Sequence, residues 1–265
     1  MIPLATQRVF GVFAVIVCAF SVAPVLVIVA ESFTATDYVV FPPSGLSFKW
    51  YVEFLKRAEF VDSAVVSTIV AFGASIVATA LGTAASIALV RHEFFGRQLL
   101  QQLFLAPLSL PGLIFGLALL QFLARYGIPR NVVTIALAHV IIVMPFTIRF
   151  ITVALLGVDR KVELCAQSLG ATPWRTFRHI TFPLIRPGLA ASLVFAFIIS
   201  FDEVAASLFV SSPSATTLPV RIFTYIDQNY DPLVTAVSSL LVFAALIAIV
   251  ILERAFGVGR LFGLR

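Results

Sequence analysis

The side chains able to do covalent or metal chemistry are few and scattered. The chain of 265 residues has three histidines (His92, His139, His179) and two cysteines (Cys18, Cys165). Of the histidines, only His139 lies in a long apolar run. Neither cysteine has a second Cys or a His at metal-ligand spacing, so both read as packing residues. No G-x-S-x-G elbow is present, and a hydrolase would need a nucleophile and base in facing elements. The lysines Lys49, Lys56 and Lys161 lie outside any G-x-x-x-x-G-K-[ST] phosphate loop, so the chain is not itself an ATPase.

Two polar places stand out instead. One is the adjacent pair Asp202–Glu203 in "SFDEVAASLFVSS". The other is the segment "ELCAQSLGATPWRTFRHITFPLIRPG", from Glu163 to Gly188. Asp202 falls fifteen residues after Pro187, a rise of about 22 Å in a helix, short of a hydrocarbon core of about 30 Å. A carboxylate at such depth costs about 2.5–3.5 kcal/mol on insertion scales, so it faces a cavity or a partner. Two readings stay open. Either the pair is structural, with Asp202 starting a helix after a kink or an arginine neutralising the charge, or it is a ring of negative charge for a cationic solute.

The elements that hold these residues follow from composition. Apolar residues make up 60% of the chain and charged residues 12%, against about 25% charged in soluble domains. So much hydrocarbon excludes a soluble fold and predicts a polytopic membrane protein. Edge amides have no partner in lipid, so the spans are helices and the chain is all-α. Charge-poor runs predict six spans, at about 9–30, 63–90, 99–124, 131–156, 187–211 and 232–252, in one transmembrane domain covering residues 1–265. The first run is too long for a signal-peptide core and reads as a retained span. Small residues from Ala71 to Ala85 suit close helix packing in the second span. Pro107, Pro111 and Pro145 are expected to bend their helices.

With the N-terminus inside, twelve Lys and Arg fall on the inner side and six on the outer. This predicts both termini in the cytoplasm and places residues 159–186 there. The net charge of +5 then reflects orientation in a lipid membrane, not nucleic-acid binding. Asp159 can cap a helix from Arg160, with Val162, Ala166 and Leu169 on one face, and Gly170 suits its C-terminus. Thr172 and Pro173 open a second helix carrying Trp174 and Arg175, which Pro183 and Pro187 are expected to end. From the residues alone this two-helix loop either lies on lipid headgroups or docks a soluble partner.

The segment resembles the coupling motif of ABC-importer permeases, "EAA, three residues, G, nine residues, I-x-L-P". Gly170, Ile180 and Pro183 fall at the motif positions, and Ala166 matches its second alanine. Leu164 and Cys165 replace its glutamate and first alanine, Phe182 replaces its leucine, and Glu163 stands one residue early. The resemblance implies a type I ABC-importer permease fold with a coupling-helix loop over 159–186 that docks on a separate ATPase subunit. Glu163, Ala166, Gly170, Trp174, Arg175 and Pro183 are its expected coupling residues. "SFDEVAASLFVSSPSATTLPVRIFTYI" and "LSFKWYVEFL" are similar to the spermidine/putrescine branch. That likeness implies import of polyamines or another amino-group-bearing solute, such as an amino-acid derivative or aminophosphonate, past Phe201, Asp202 and Glu203. The implied partners are a second permease chain, two ATPase subunits holding ATP and Mg, and a substrate-binding protein, at a bacterial inner membrane. This chain is expected to carry no cofactor or metal and to be no enzyme. An independent channel or secondary carrier is the remaining alternative.

Overall fold

The computed structural model describes residues 4–256. These form twelve α-helices, with a 3₁₀ turn after α4 and a π-helical turn after α8. In chain order the helices are α1 (Leu4–Glu31), α2 (Lys49–Lys56), α3 (Ala58–Arg91), α4 (Arg97–Leu105), α5 (Gly112–Arg125), α6 (Val132–Leu156), α7 (Arg160–Ser168), α8 (Pro173–Thr176), α9 (Phe182–Phe201), α10 (Ser207–Val210), α11 (Leu218–Ile226) and α12 (Leu233–Phe256). The described residues contain isolated β-bridges but no strand.

Four stretches are long and apolar enough to cross a membrane: Phe10–Glu31, Ala58–Arg91, Val132–Leu156 and Pro173–Phe201. A fifth is a bent pair, Arg97–Ser109 with Gly112–Arg125, and Leu233–Ala248 is a shorter apolar helix. All six predicted spans therefore have a helical counterpart, but two differ from expectation. The third span turns by 103°, because Pro107 lies within the 3₁₀ turn Ala106–Ser109 and Pro111 stands at the N-cap of α5. The fifth span starts earlier and stops earlier than 187–211. The helix runs through Pro183 and Pro187, which do not end it, and closes at Phe201. Pro145 likewise sits inside an unbroken α6.

The chain divides into two compact units. One comprises the residues up to Val61 together with Thr224–Ile247. In it, Phe10, Phe13, Ile16 and Phe20 of α1 are exposed, as suits a lipid-facing helix. Arg57 Nη1 donates to the Tyr225 hydroxyl at 2.6 Å, and that hydroxyl donates to Asp231 Oδ2 at 2.6 Å. Asp231 Oδ1 also accepts from Leu233 N at 3.2 Å and caps α12, as its place before Pro232 predicts. Burial, then the bond to Asp231, push the Tyr225 phenol up to about 12.

The other unit, Asp62–Phe223 with the residues from Ala248 onward, is built around α6. Three apolar layers follow that helix. Ile135 packs with Val70, Leu123 and Val210; Val140 and Val143 pack with Ala74, Ala78 and Ala196; Ile151 and Leu155 pack with Val158 and Ile185. The small residues of α3 allow the approach, since Ala71, Ala74 and Ala78 are fully buried. Gly73 does not share in it and faces open space. Hydroxyls add polar ties between spans: Thr147 Oγ1 donates to Ala78 O at 3.1 Å and Ser86 Oγ to Ile148 O at 3.1 Å. Cys18 and Cys165 are both exposed, which corrects their reading as packing residues.

Candidate functional site: a two-helix loop and an acidic helix break

The loop forms where the sequence places it. Asp159 Oδ1 accepts from Lys161 N at 2.9 Å and opens α7. The helix closes on Gly170 at φ +88, a left-handed conformation that a side chain makes costly. Gly170 N donates to Gln167 O at 3.0 Å and Ala171 N to Ala166 O at 3.0 Å, the paired bonds of a Schellman cap. Ala166 thus supplies a carbonyl to the turn. Thr172 Oγ1 accepts from Arg175 N at 3.3 Å, with Pro173 at the first helical position.

The apolar face of α7 points outward. Val162, Leu164 and Leu169 are exposed, Leu169 at 89%, and Ala166 is half-buried. Glu163 is the residue turned inward, 8% exposed. Its Oε2 lies 3.0 Å from Arg91 Nε at the end of α3. Its Oε1 accepts from Arg91 Nη2 at 3.2 Å and from Thr181 Oγ1 at 2.7 Å. Arg91 Nη2 also donates to Leu155 O at 3.1 Å and Val158 O at 3.4 Å, satisfying the end of α6. Glu163 is therefore an internal tie among α3, α7 and the α8–α9 turn.

Trp174 is 65% exposed, and its ring lies 5.6 Å from that of Phe177 in a tilted pair. Arg175, Arg178 and His179 are exposed beside it. Leu169, Gly170, Trp174 and Arg175 thus form an exposed apolar and cationic surface, the composition of a docking face. Pro183 stands just past the π turn Phe177–Thr181, where Phe182 N donates to Phe177 O. A wide turn makes room for the proline ring, which would otherwise meet the carbonyl four residues back. Pro183 accordingly shapes a continuous helix and does not stop one.

At the other end of that helix, α9 closes with Asp202 N donating to Ile198 O at 3.0 Å. The chain then unwinds and re-forms α10 at Ser207. Asp202 is exposed. Glu203 Oε1 accepts from Ala206 N at 2.8 Å and so holds the turn that leads into α10. The two carboxylates have parted roles: one is structural and the other is open. Phe201 is half-buried, and its ring lies 5.7 Å from Phe197, which in turn lies 4.9 Å from Phe72. The break is held close to α5 because Gly116 has no side chain. A Cβ there would lie 2.8 Å from Ala206 Cα.

Sequence reasoning missed two residues of this site. Arg91 is separated from Glu163 by 72 positions, and only its place at the end of an apolar span hinted at a role. His139 was noticed as an intramembrane histidine, but its partners were not. Its Nδ1 lies 2.8 Å from Ser200 Oγ and its Nε2 2.7 Å from Ser207 Oγ, on either side of the break.

Comparison with known proteins adds descent to geometry. The chain is 34% identical over 229 residues to the putrescine transport system permease protein PotI of Escherichia coli K12, covering 84% of this chain and 81% of the relative. It is 30% identical over 242 residues to the spermidine/putrescine transport system permease protein PotC of Haemophilus influenzae, covering 91% and 93%. Its fold matches the crystal structure of a bacterial ABC transporter involved in import of the acidic polysaccharide alginate. The TM-score is 0.71 at 16% identity, over 97% of this chain and 99% of that one. Residues 78–257 match the family model for the inner-membrane component of binding-protein-dependent transport systems. That stretch holds α6, the two-helix loop and the acidic break, and the chain belongs to this family of membrane permeases.

Proposed function

We propose that the chain is a permease subunit of an ATP-driven importer for polyamines, with Asp202 meeting an ammonium group of the solute. The observation that carries this reading is the break after Phe201. It leaves one carboxylate exposed at the end of a span while its neighbour is spent on the turn into the next helix. Sixteen positions separate Arg186 from Asp202, about 24 Å of helix, so the acid lies inside a core of about 30 Å. A carboxylate there needs a cation or water-filled space. Relatives named for putrescine and spermidine support a cationic solute, and Phe201 supplies an aromatic neighbour suited to ammonium.

The charge balance of the loops supports both termini in the cytoplasm, with the two-helix loop on that side. Leu169, Trp174 and Arg175 would then meet an ATPase subunit, which supplies ATP and Mg. A second permease chain and a substrate-binding protein complete the importer. The Glu163–Arg91 pair would carry motion from the docked loop into α3 and α6.

Isolation of the chain from its native membrane in mild detergent tests the assembly. An ATPase and a second permease should co-purify. Proteoliposomes made from that complex with its binding protein should take up labelled putrescine or spermidine when ATP is supplied. Uptake of an aminophosphonate but neither polyamine would replace the solute reading while keeping the importer. Absence of any ATPase partner would remove the importer reading itself.

A further inference from the structure

Of the three histidines, His139 is the buried one, 1% exposed, and both of its ring nitrogens are engaged. Ser200 lies in the last turn of α9 and Ser207 opens α10. The imidazole therefore spans the break that carries Phe201, Asp202 and Glu203. A neutral imidazole offers one donor and one acceptor, which two hydroxyls satisfy in either tautomer. Both serines are buried, at 2% and 1% exposure, so each loses a partner if the ring is removed. An unpaired buried polar group is costly, and the chain can relieve that cost by moving.

Apolar packing seats each lip on α6 separately, Ala196 of α9 against Val140 and Val143 and Val210 of α10 against Ile135, while His139 is the α6 side chain that hydrogen-bonds to both. The Asp202 amide is held by Ile198 O on the α9 side. Glu203 is held by Ala206 N on the α10 side. The residues between them have no regular helical ladder. Packing of Ala205 and Ala206 against Gly112 and Gly116 of α5 sets the height of the break but does not join α9 to α10. His139 does join them, from α6.

We propose that His139 is a positioning residue for solute binding: by bridging Ser200 and Ser207 it fixes where the Asp202 carboxylate stands for an ammonium group. This rests on the reading of Asp202 as a solute contact. His139 itself touches no solute.

The test uses the complete importer in proteoliposomes, with KM and maximal rate measured for labelled putrescine and spermidine. His139→Leu removes both bonds and should raise KM about three- to tenfold, the worth of one net hydrogen bond, with the maximal rate falling less than the affinity. His139→Gln keeps one donor and one acceptor and should recover most of that loss. Ser200→Ala and Ser207→Ala each break one bond and should each raise KM by a smaller factor. They decide the matter if His139→Leu fails to assemble. Unchanged KM in the serine variants, or an equal fall in maximal rate for His139→Leu and His139→Gln at unchanged KM, overturns the proposal. Asp202→Asn is measured alongside. If it raises KM while the His139 and serine variants do not, the positioning role alone falls. If none of them raises KM, the solute reading falls and the positioning role falls with it.

Discussion

Glu163 Oε2 lies 3.0 Å from Arg91 Nε, so a buried ion pair joins the helix of the exposed loop to the end of a membrane span. Breaking a buried pair leaves one charge uncompensated, at about 3–5 kcal/mol. These side chains keep slight exposure, 14% for Arg91 and 10% for Glu163, so the lower end applies. Glu163→Ala should lower the melting temperature of the purified complex and weaken solute-stimulated ATPase. Arg91→Leu combined with Glu163→Leu should recover much of the stability, because two apolar side chains leave no stranded charge. Thermal unfolding of the three complexes checks this, and a double variant no more stable than Glu163→Ala contradicts it.

Gly170 adopts φ +88 with open space around its Cα. A substitution there is a matter of backbone conformation, not of crowding. Gly170→Val should cost about 1–2 kcal/mol at the turn and reduce solute-stimulated ATPase, and Gly170→Pro should uncouple it more fully. Gly170→Asn should be milder, since asparagine enters the left-handed region more readily. ATPase rates with and without solute, in the reconstituted importer, give the order.

Gly116 presents the opposite case. Its backbone is ordinary, but an added Cβ would lie 2.8 Å from Ala206 Cα and 2.8 Å from Phe209 Cδ2. Gly116→Ala should push the break away from α5 and lower uptake severalfold while the importer still assembles. Wild-type uptake by that variant would show that the break tolerates displacement.

Much of the loop was legible in the sequence because its signals are local. Asp159 and Thr172 cap the helices they precede, and Gly170 ends α7. The misreadings are equally physical. Two prolines suggested that the second loop helix ends, but the π turn Phe177–Thr181 absorbs the first of them and the helix runs on. Val162, Ala166 and Leu169 share the apolar spacing of α7, yet Glu163 is the residue that turns inward, because Arg91 pairs with it there. Arg91 lies 72 positions from Glu163, and Ser200 and Ser207 lie 61 and 68 from His139, and no local pattern encodes such pairs. The acidic break was located by depth, yet which carboxylate holds the turn and which stays open depended on Ala206 N.

Tyr225 gives a pH test in the unit that contains α12. Its phenol is pushed up to about 12 by burial and then by the bond to Asp231, above the ordinary value of about 10. The fold therefore favours the neutral phenol. Its contribution to stability is complete below about pH 10 and is lost as pH rises through about 12. The difference in absorbance at 295 nm between wild type and Tyr225→Phe should rise near pH 12. A midpoint near pH 10 would contradict the buried relay from Arg57 to Asp231.

The central claim is that a cationic solute passes the acidic break. It is tested most directly by ATP-driven uptake of labelled putrescine and spermidine into proteoliposomes bearing the complete importer, wild type against Asp202→Asn with Glu203→Gln. A lost charge-assisted contact is worth about tenfold or more, so the double variant should retain about a tenth or less of wild-type uptake, with the importer still assembled. Uptake at the wild-type rate by that assembled double variant would contradict the account.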